Sequence, residues 1–241
     1  MSEFDGQTIM VTGANGGLGV SVVQRFYEAG ANLALVVRRA SSLDDLFAEI
    51  PGTPDQSRWL TVEADVTSVE SMQAAVSEID RRYGRIDSLA HTVGGYAGGK
   101  PAHELDLEMW DKMMTLNARS VLITAGTVAN YMVQKNSSGS IVVVLARNAL
   151  DGKKNHVAYS ASKAAAQRIV ESMSKELLDR SIRVNGVIPG TIDTLANREA
   201  TPDADFDRWV KPESLADVIL FLCSSAASSI SGDSIAVHGR S

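Results

Sequence analysis

The feature that most constrains the fold is a short apolar run, residues 8–11, which leads through a glycine-rich turn at residues 12–19 into a helical pattern at residues 20–29. In such a setting the glycines let the backbone approach a pyrophosphate, and the helix N-terminus offers amide hydrogens and a positive dipole end. Flexible loops are also rich in glycine, but the position of this turn between a strand and a helix near the N-terminus favours nucleotide binding.

Short apolar runs alternate with helical patterns along the rest of the chain. Further strands are predicted at residues 32–37, 59–64, 86–92, 141–145, 183–188 and 234–237. Helices are predicted to start near residue 41 and to cover residues 69–83, 105–133, 157–174 and 215–223, with a polar loop and candidate lid at residues 191–209. The alternation predicts an α/β fold, a doubly wound parallel sheet (Rossmann fold) with helices on both faces. No shift in composition marks a second domain, so residues 1–241 are expected to form a single one.

Composition restricts the possible function classes. The chain has 241 residues, 44% of them hydrophobic, and a formal net charge of -6, whereas nucleic-acid-binding surfaces are usually basic. The single cysteine, Cys223, argues against an intrachain disulfide framework and a cysteine zinc site, and no metal is expected. No apolar run approaches the ~20 residues of a membrane helix, and the N-terminus lacks the pattern of a signal peptide. We therefore expect a cytoplasmic protein with neither a nucleic-acid nor a membrane partner.

The end of the second strand bears on the choice of cofactor. A dinucleotide fold that prefers NAD usually has an acid here, which binds the ribose 2′-hydroxyl, whereas this chain has Val37 followed by Arg38 and Arg39. Guanidinium groups suit a 2′-phosphate, so we expect NADP(H) to be favoured over NAD(H); the alternative is that both arginines are ordinary loop charges. At the end of the third strand, Asp65 either meets the adenine amino group or caps the helix that begins near Ser68.

Two residues of the predicted helix at 157–174 form a candidate catalytic pair. Tyr159 and Lys163 are four residues apart and therefore share a helix face. A nearby cation favours the phenolate, so Lys163 should lower the pKa of Tyr159 from its usual ~10 and fit it for proton transfer. The alternative is that Tyr159 and Lys163 simply lie on a solvent-exposed face of the helix. The glycine-rich loop at residues 93–101 follows the fourth strand, at the sheet edge where parallel sheets bind ligands.

A set of short motifs occurs in order along the chain: Thr12-Gly13 with Gly17 and Gly19, Asp65, Asn117, Tyr159 with Lys163, and Pro189-Gly190. Together they resemble the short-chain dehydrogenase/reductase family over nearly the whole chain. The resemblance implies that Tyr159 is the proton donor in reduction and that Asn117 anchors a water of the proton relay. It also implies that Lys163 holds the nicotinamide ribose and lowers the pKa of Tyr159.

The same resemblance implies a cofactor site and an assembly. The cofactor-binding residues would be Gly13, Asn15, Gly16, Gly17, Leu18, Gly19, Arg38, Arg39, Asp65, Val66, Gly94, Lys163, Pro189, Gly190, Ile192 and Thr194. A small-molecule substrate would lie beside Tyr96, Ala146 and Tyr159. A homodimer or homotetramer would form through the long helices at residues 105–133 and 157–178, whose extra apolar faces would pair.

Two stretches depart from the family pattern. The family usually has a serine thirteen residues before the tyrosine, where it polarises the substrate carbonyl, and this chain has Ala146. The family also usually has Asn-Asn-Ala-Gly after the fourth strand, and here the stretch is His91-Thr92-Val93-Gly94. We expect His91 to be a packing or backbone-bonding residue rather than a catalytic base.

These departures indicate one branch of the family. Together with the segments at residues 94–99, 149–152, 191–194, 197–198 and 204–206, they resemble the dihydropteridine reductase branch. That branch also has alanine in place of the serine, because its quinonoid pterin substrate accepts hydride without the hydrogen bond. It differs from this chain in preferring NADH and in ending its second strand with an acid.

Three functions follow from these patterns. The expected one is NADPH-dependent hydride transfer to a conjugated or quinonoid, pterin-like small molecule. The first alternative is a ketone or alcohol oxidoreductase in which Arg147, Asn148 or a water replaces the serine. The second alternative is a cofactor-binding protein with little turnover, against which the intact catalytic motifs argue.

Overall fold

The computed structural model describes residues 2–40 and 55–240, along which strands and helices alternate. The strands are β1 (Thr8–Thr12), β2 (Asn32–Val37), β3 (Trp59–Glu63), β4 (Ser88–His91), β5 (Gly139–Val144), β6 (Ile182–Pro189) and β7 (Ser234–Val237). The α-helices are α1 (Gly17–Glu28), α2 (Val69–Tyr83), α3 (Leu107–Met114), α4 (Ser120–Gln134), α5 (Val157–Glu176), α6 (Leu195–Ala200) and α7 (Pro212–Cys223). The helix start predicted near residue 41 lies outside the described residues.

The strands of the described residues form one parallel sheet with the order β3-β2-β1-β4-β5-β6-β7. The chain builds this sheet outward from β1 in one direction and from β4 in the other, so the order reverses between these two strands. Such a reversal leaves a crevice at the carboxyl ends of the strands, where open α/β sheets bind ligands. The predicted doubly wound parallel sheet is confirmed.

Helices cover both faces of the sheet, and each face has its own apolar core. On one face, α2, α4 and α5 contribute buried side chains such as Val170. On the other face, α1 and α7 contribute side chains such as Phe26. Successive strand residues point to opposite cores, as Ile141 and Val142 of β5 do. Because both faces are covered, inner strands such as β2 are almost entirely apolar and are easily recognised in the sequence.

The single helix predicted at residues 105–133 is wrong in detail. The chain has α3, a π-helical turn at Thr115–Arg119 and then α4. The helix starts later than predicted because Leu105 has a left-handed backbone conformation (φ 49°) and because the Asp106 carboxylate caps α3 by accepting from the Met109 amide. A π turn adds one residue to a helical turn, and such turns are frequent at functional sites.

Two other segments differ from the prediction. Helix α1 begins at Gly17 rather than at residue 20, so the last glycines of the turn belong to the first turn of the helix. The predicted polar loop at residues 191–209 contains α6 and a short 3-10 turn at Phe206–Arg208. The crevice is therefore bordered by ordered helical segments on this side as well.

Neither a membrane span nor a metal site is found in the described part of the chain. None of its helices combines the length and the apolar character that crossing a bilayer needs. No group of three or more His, Cys, Asp or Glu side chains there has an arrangement that could hold a metal ion.

Candidate active site

The glycine-rich turn lies at the carboxyl end of β1, and its backbone conformation and close packing call for glycine at positions 13 and 19. Gly13 has a φ of 72°, a conformation in which other residues are strained. A methyl group at Gly19 would collide with the Gly13 carbonyl oxygen, so only glycine lets α1 start against the turn. Around this start, Leu18 is buried, and the exposed residues are Asn15, Gly16 and Gly17. The turn presents backbone and a helix N-terminus to the crevice.

The segment that follows β6 lies against the same turn. Pro189 ends β6, and Gly190 is hydrogen-bonded through its amide to β7. Ile192 is partly buried in the core beneath, and Thr194 caps α6. A methyl group at Gly17 would lie 2.7 Å from Thr194 Cγ2, so this segment contacts the turn directly. The structure therefore brings the predicted cofactor residues of these two segments together.

Three predicted residues from different elements meet beside the end of β4. Gly94 follows β4, Asn117 lies in the π turn and Lys163 lies in α5. A methyl group at Gly94 would lie 3.1 Å from Lys163 Nζ and 3.2 Å from Asn117 Oδ1. Asn117 is 1% exposed and Lys163 is 5% exposed, so two polar side chains are buried in this cluster. A side chain at position 94 would therefore crowd these two polar groups.

Asn117 ties the loop after β4 to the helix that carries Tyr159. Its Oδ1 accepts from the Gly95 amide at 2.8 Å, and its Nδ2 donates to the Gly95 carbonyl at 2.9 Å. Nδ2 also donates to Ser162 Oγ at 3.0 Å, and the Ser162 hydroxyl donates to the Tyr159 carbonyl at 2.8 Å. One buried amide thus fixes the loop relative to α5.

Lys163 makes its hydrogen bond to the sheet. Its Nζ donates to the Val144 carbonyl at the end of β5, at a distance of 3.0 Å. Burial lowers the pKa of Lys163 to about 8, because a charged amine loses its hydration there. The amine is therefore held at the carboxyl edge of β5, next to Gly94.

The environment of Tyr159 shifts its pKa in the direction opposite to the prediction. Burial raises the pKa of Tyr159 to about 12, and Tyr96 adds to the shift. The prediction that Lys163 lowers this pKa is wrong, because desolvation of the phenol dominates and because the lysine amine is directed to Val144. The hydroxyl is consequently held in its protonated form at neutral pH.

Tyr96 and His156 complete the surroundings of Tyr159. The rings of Tyr96 and Tyr159 meet edge-on, with centroids 5.0 Å apart. The Tyr96 hydroxyl lies 2.6 Å from Nε2 of His156. Sequence reasoning missed His156, although its place as the residue before α5 was a usable signal, since it puts the imidazole within one turn of Tyr159.

The predicted ribose site at the other end of the crevice is open to solvent. Arg38 and Arg39 follow β2 and are both exposed. Val37, at the end of β2, is buried at 3% exposure, so no acid occupies the strand end. A carboxylate from the neighbouring strand, that of Glu63, accepts from the Ala40 amide at 2.5 Å. Two exposed guanidinium groups thus follow β2 directly.

Asp65 follows β3 and lies near Arg38. Its Oδ1 accepts from the hydroxyl and the amide of Thr67 at 2.7 and 2.8 Å. These hydrogen bonds, with a smaller contribution from Arg38, hold the pKa of Asp65 below its usual range. The alternative that Asp65 caps the next helix is wrong, because the Ser68 hydroxyl caps α2. Val66, which follows Asp65, is buried.

A comparison with known protein families agrees with this site. The site combines a glycine turn, a buried lysine and asparagine, and a protonated tyrosine around one crevice. The family described as short chain dehydrogenase matches residues 7–205. The chain belongs to this family. It is accordingly an NAD(P)-dependent oxidoreductase.

Similar proteins extend the match to nearly the whole chain. The 3-oxoacyl-acyl-carrier-protein reductase FabG of Thermotoga maritima is 31% identical over 245 residues, which cover 98% of each chain. The 7alpha-hydroxysteroid dehydrogenase of Escherichia coli K12 is 30% identical over 246 residues, or 98% of this chain and 94% of that protein. A solved glucose/ribitol dehydrogenase-type member from Brucella melitensis is 31% identical, with a TM-score of 0.87 over 99% of this chain and 97% of its own.

These similarities support the short-chain dehydrogenase family as a whole and not its dihydropteridine reductase branch. The relatives just described are named for ketone, steroid and sugar chemistry. The finer resemblance to the pterin branch is thus corrected to the family level, and the substrate becomes a matter for proposal.

This short-chain dehydrogenase has no hydroxyl at the position of the usual serine. Ala146 is extended and 7% exposed, and its carbonyl accepts from the Ala149 amide at 2.9 Å. Asn148, one of the predicted replacements, donates instead to Ser160 Oγ at 3.2 Å. The Asn148 amide is therefore engaged with α5.

His91 is a buried packing residue, as predicted, but it bonds to side chains rather than to the backbone. Its Nδ1 lies 2.9 Å from Thr12 Oγ1 and its Nε2 lies 3.5 Å from Ser120 Oγ. The Ser120 hydroxyl donates to the Leu116 carbonyl, so its oxygen accepts from His91 Nε2–H and the Thr12 hydroxyl donates to Nδ1. Burial, followed by the charge of Lys163, lowers the pKa of His91 to about 3. The imidazole is neutral and is not a catalytic base.

Proposed function

We propose that this short-chain dehydrogenase is an NADP(H)-dependent oxidoreductase that transfers hydride to a conjugated or quinonoid small molecule, with a pterin-like ring as the leading substrate class. The observation that carries the proposal is Ala146, a buried methyl group where the family usually has a hydroxyl. A simple ketone needs a donor there to stabilise the charge that develops on its oxygen. An electron-poor conjugated ring spreads that charge and accepts hydride without the donor.

The residues of the crevice suit a nicotinamide dinucleotide. The packed turn at Gly13 and Gly19 leaves backbone and a helix N-terminus for the diphosphate. We assign the cofactor site to the residues Gly13, Asn15, Gly16, Gly17, Leu18, Gly19, Arg38, Arg39, Asp65, Val66, Gly94, Lys163, Pro189, Gly190, Ile192 and Thr194. The preference for NADP(H) rests on Arg38 and Arg39, because exposed guanidinium groups at the end of β2 suit a 2′-phosphate.

Three residues of this chain carry the proposed chemistry. When bound, the nicotinamide supplies the hydride, and Tyr159 supplies the proton. The pKa of Tyr159, about 12, keeps the hydroxyl protonated at neutral pH, which is the form that reduction requires. Lys163 would hold the nicotinamide ribose with the amine that lies next to Gly94, and Asn117 would anchor a water of the proton relay. Tyr96, Ala146 and Tyr159 would border the substrate.

A second candidate function is the oxidoreduction of simple ketones or alcohols. The names of the relatives favour it, since they include a 3-oxoacyl reductase, a hydroxysteroid dehydrogenase and the D-threitol dehydrogenase of Mycolicibacterium smegmatis. In that reaction a water or Arg147 would take over the role of the missing hydroxyl. A cofactor-binding protein with little turnover is the third possibility, and the presence of Tyr159, Lys163 and Asn117 together in one chain argues against it.

We also propose that residues 1–241 form one domain and assemble as a homodimer or homotetramer. The support for assembly is a set of large apolar side chains that remain exposed on the long helices. They include Leu107 and Trp110 of α3, Leu122 of α4 and Val157 of α5, at 37–66% exposure. Exposed apolar patches on helices commonly mark protein interfaces.

A substrate panel tests the proposed function. Purified enzyme is assayed with NADPH and with NADH against quinonoid dihydropterin, a flat ortho-quinone, an aliphatic ketone and a secondary alcohol in the reverse direction. Reduction of the first two, with little activity on the others, supports the proposal. Turnover confined to the ketone and the alcohol would establish the second function, and cofactor binding without turnover of any substrate would establish the third.

A further inference from the structure

An exposed aromatic ring with a fixed position stands beside Tyr159. The Tyr96 ring is 68% exposed, yet it packs against the Tyr159 ring at an interplanar angle of 78°. Its place beside Tyr159, rather than its exposure alone, makes this ring a candidate contact surface for a ligand, since ligand sites are lined mainly by apolar and aromatic side chains. Glycines flank Tyr96 at positions 94–95 and 98–99, so the loop itself does not fix the ring.

His156 holds the ring in place. Its Nδ1 lies 2.6 Å from the Lys154 carbonyl oxygen, and because a carbonyl only accepts, Nδ1 carries a hydrogen. In the neutral imidazole, Nε2 is then the acceptor for the Tyr96 hydroxyl at 2.6 Å. The hydrogen bond therefore joins the loop after β4 to the start of α5.

The loop after β4 also contacts His156 through its backbone. A methyl group at Gly98 would lie 2.6 Å from His156 Nε2, and the Gly99 amide donates to the Asn155 carbonyl at 2.9 Å. A mainly apolar cavity of about 440 Å³, bordered by Leu105 and Trp110, adjoins His156. The Tyr96 ring is therefore held by its hydrogen bond to His156 together with ring contacts to His156 and Tyr159.

We propose that Tyr96 determines specificity as a fixed aromatic wall, on which a flat conjugated substrate stacks beside Tyr159, and that His156 is its positioning residue. The inference rests on the proposed function, because a wall of this kind discriminates between flat rings and small aliphatic ketones. Stacked aromatic rings attract each other beyond the area that they bury, whereas an aliphatic ketone gains only the area. Tyr96 thus selects substrates, and the proton still comes from Tyr159.

The first experiment removes the ring or only its hydroxyl. With a flat ortho-quinone and saturating NADPH, Tyr96→Ala is expected to raise KM about tenfold and to change kcat less than about threefold. Tyr96→Phe keeps the ring and is expected to raise KM only about threefold. An unchanged KM in Tyr96→Ala, or a loss confined to kcat, would overturn the assignment, since a structural defect lowers kcat and a stacking surface changes KM.

The second experiment examines the positioning role. His156→Leu is expected to raise KM about threefold, and His156→Gln, which keeps a hydrogen-bonding group at the same reach, is expected to restore it. In the Tyr96→Phe background, His156→Leu should have no further effect, because the shared hydrogen bond is already absent. Fully additive effects, or no recovery in His156→Gln, would remove His156 from the positioning role.

A binding measurement separates this inference from the proposed function. The ortho-quinone is titrated into enzyme saturated with NADP⁺, in which reduction does not occur. Binding that weakens about tenfold in Tyr96→Ala, in an enzyme that does not reduce the quinone with NADPH, supports the wall and refutes the proposed function. Reduction of the quinone with a KM that is insensitive to Tyr96→Ala supports the function and refutes the wall. Absence of both binding and reduction refutes both.

Discussion

The two ends of the crevice differ in how their polar groups are held. At the phenol end, formed by Gly94, Asn117, Tyr159 and Lys163, the asparagine and the lysine are 1% and 5% exposed and hydrogen-bonded within the protein. At the arginine end, Arg38 and Arg39 are exposed. A buried polar group is costly unless it is hydrogen-bonded, whereas an exposed charge is screened by salt. Folding therefore fixes the phenol end and leaves the arginine end adaptable.

This difference predicts which substitutions should have the largest effects. Removing the Tyr159 hydroxyl at the phenol end removes the proposed proton donor. Removing a guanidinium group at the arginine end weakens the binding of a cofactor phosphate, an interaction that salt also weakens. Changes at the phenol end should therefore lower the catalytic rate by more than changes at the arginine end lower the affinity for NADPH.

The largest expected effect is that of Tyr159→Phe. This change keeps the ring and removes the hydroxyl that would donate the proton, and general acid catalysis contributes typically ~10²–10⁴-fold. We expect kcat for the preferred substrate to fall within that range, with the dissociation constant of the cofactor nearly unchanged. Steady-state kinetics and fluorescence titration measure the two quantities.

A matched control is available on α4. The Tyr131 hydroxyl donates to Asp80 at 2.7 Å, away from the crevice, so Tyr131→Phe removes a partly buried hydroxyl without touching the phenol end. It should cost some stability and leave kcat unchanged. Full activity in Tyr159→Phe would remove this residue from the mechanism.

The next effect concerns the arginine end. In the double variant Arg38→Ala with Arg39→Ala, we expect NADPH binding to weaken roughly ten- to a hundredfold, because a charge-assisted hydrogen bond to the 2′-phosphate is lost. NADH binding should hardly change. Adding Val37→Asp should favour NADH further, since a carboxylate repels the phosphate and accepts from the ribose hydroxyls.

The measurement is the dissociation constant of each cofactor at one fixed ionic strength. Arg81→Ala, at an exposed position near the end of α2, is the control for a general loss of positive charge. Equal affinities of the wild-type protein for NADH and NADPH would mean that Arg38 and Arg39 are ordinary surface charges.

His91, a buried residue close to Lys163 of the phenol end, predicts that acid destabilises the folded protein. The pKa of His91 in the folded protein, about 3, lies below the 6.5 of an ordinary histidine. Between these values the unfolded chain binds a proton that the folded chain does not, so stability falls as the pH falls below about 6.5. The contribution is about 2 kcal/mol at about pH 5.

Urea unfolding near neutrality and at about pH 5 measures this contribution. His91→Asn, which installs the residue usual in the family, should reduce the loss of stability between the two conditions. His103→Asn, at an exposed position, should leave that loss as it is in the wild type. An identical pH dependence in wild type and His91→Asn would contradict the prediction.

The smallest effect is expected from Ala146→Ser. If the substrate needs no polarised carbonyl, the added hydroxyl should change kcat/KM for a conjugated substrate less than about threefold, or under about 0.7 kcal/mol. Reduction of an aliphatic ketone should rise. Ala149→Ser, three residues further on, adds the same hydroxyl as a control. A large gain on the conjugated substrate would mean that the enzyme can use a donor that it lacks, and would favour the ketone reaction.

Much of the fold was predictable because its signals are local. The inner strands are almost entirely apolar, and the helices at residues 69–83 and 157–174 have unbroken periodic patterns. The π turn was not predictable, since residues 115–119 have ordinary helical character and their extra residue depends on the contacts of Asn117 with Gly95 and Ser162. Local patterns identify elements, whereas distant partners decide how an element is distorted.

The sequence by itself determined the doubly wound sheet, the glycine turn and the order of the candidate site residues, because periodicity and spacing are properties of the chain alone. The tertiary structure decided the direction of the Lys163 amine, the raised pKa of Tyr159 and the contact between Tyr96 and His156. Helical spacing places Lys163 on the same face as Tyr159, but the amine bonds a carbonyl on β5. A pKa depends on every group that excludes water from the phenol, and those groups come from separate parts of the chain.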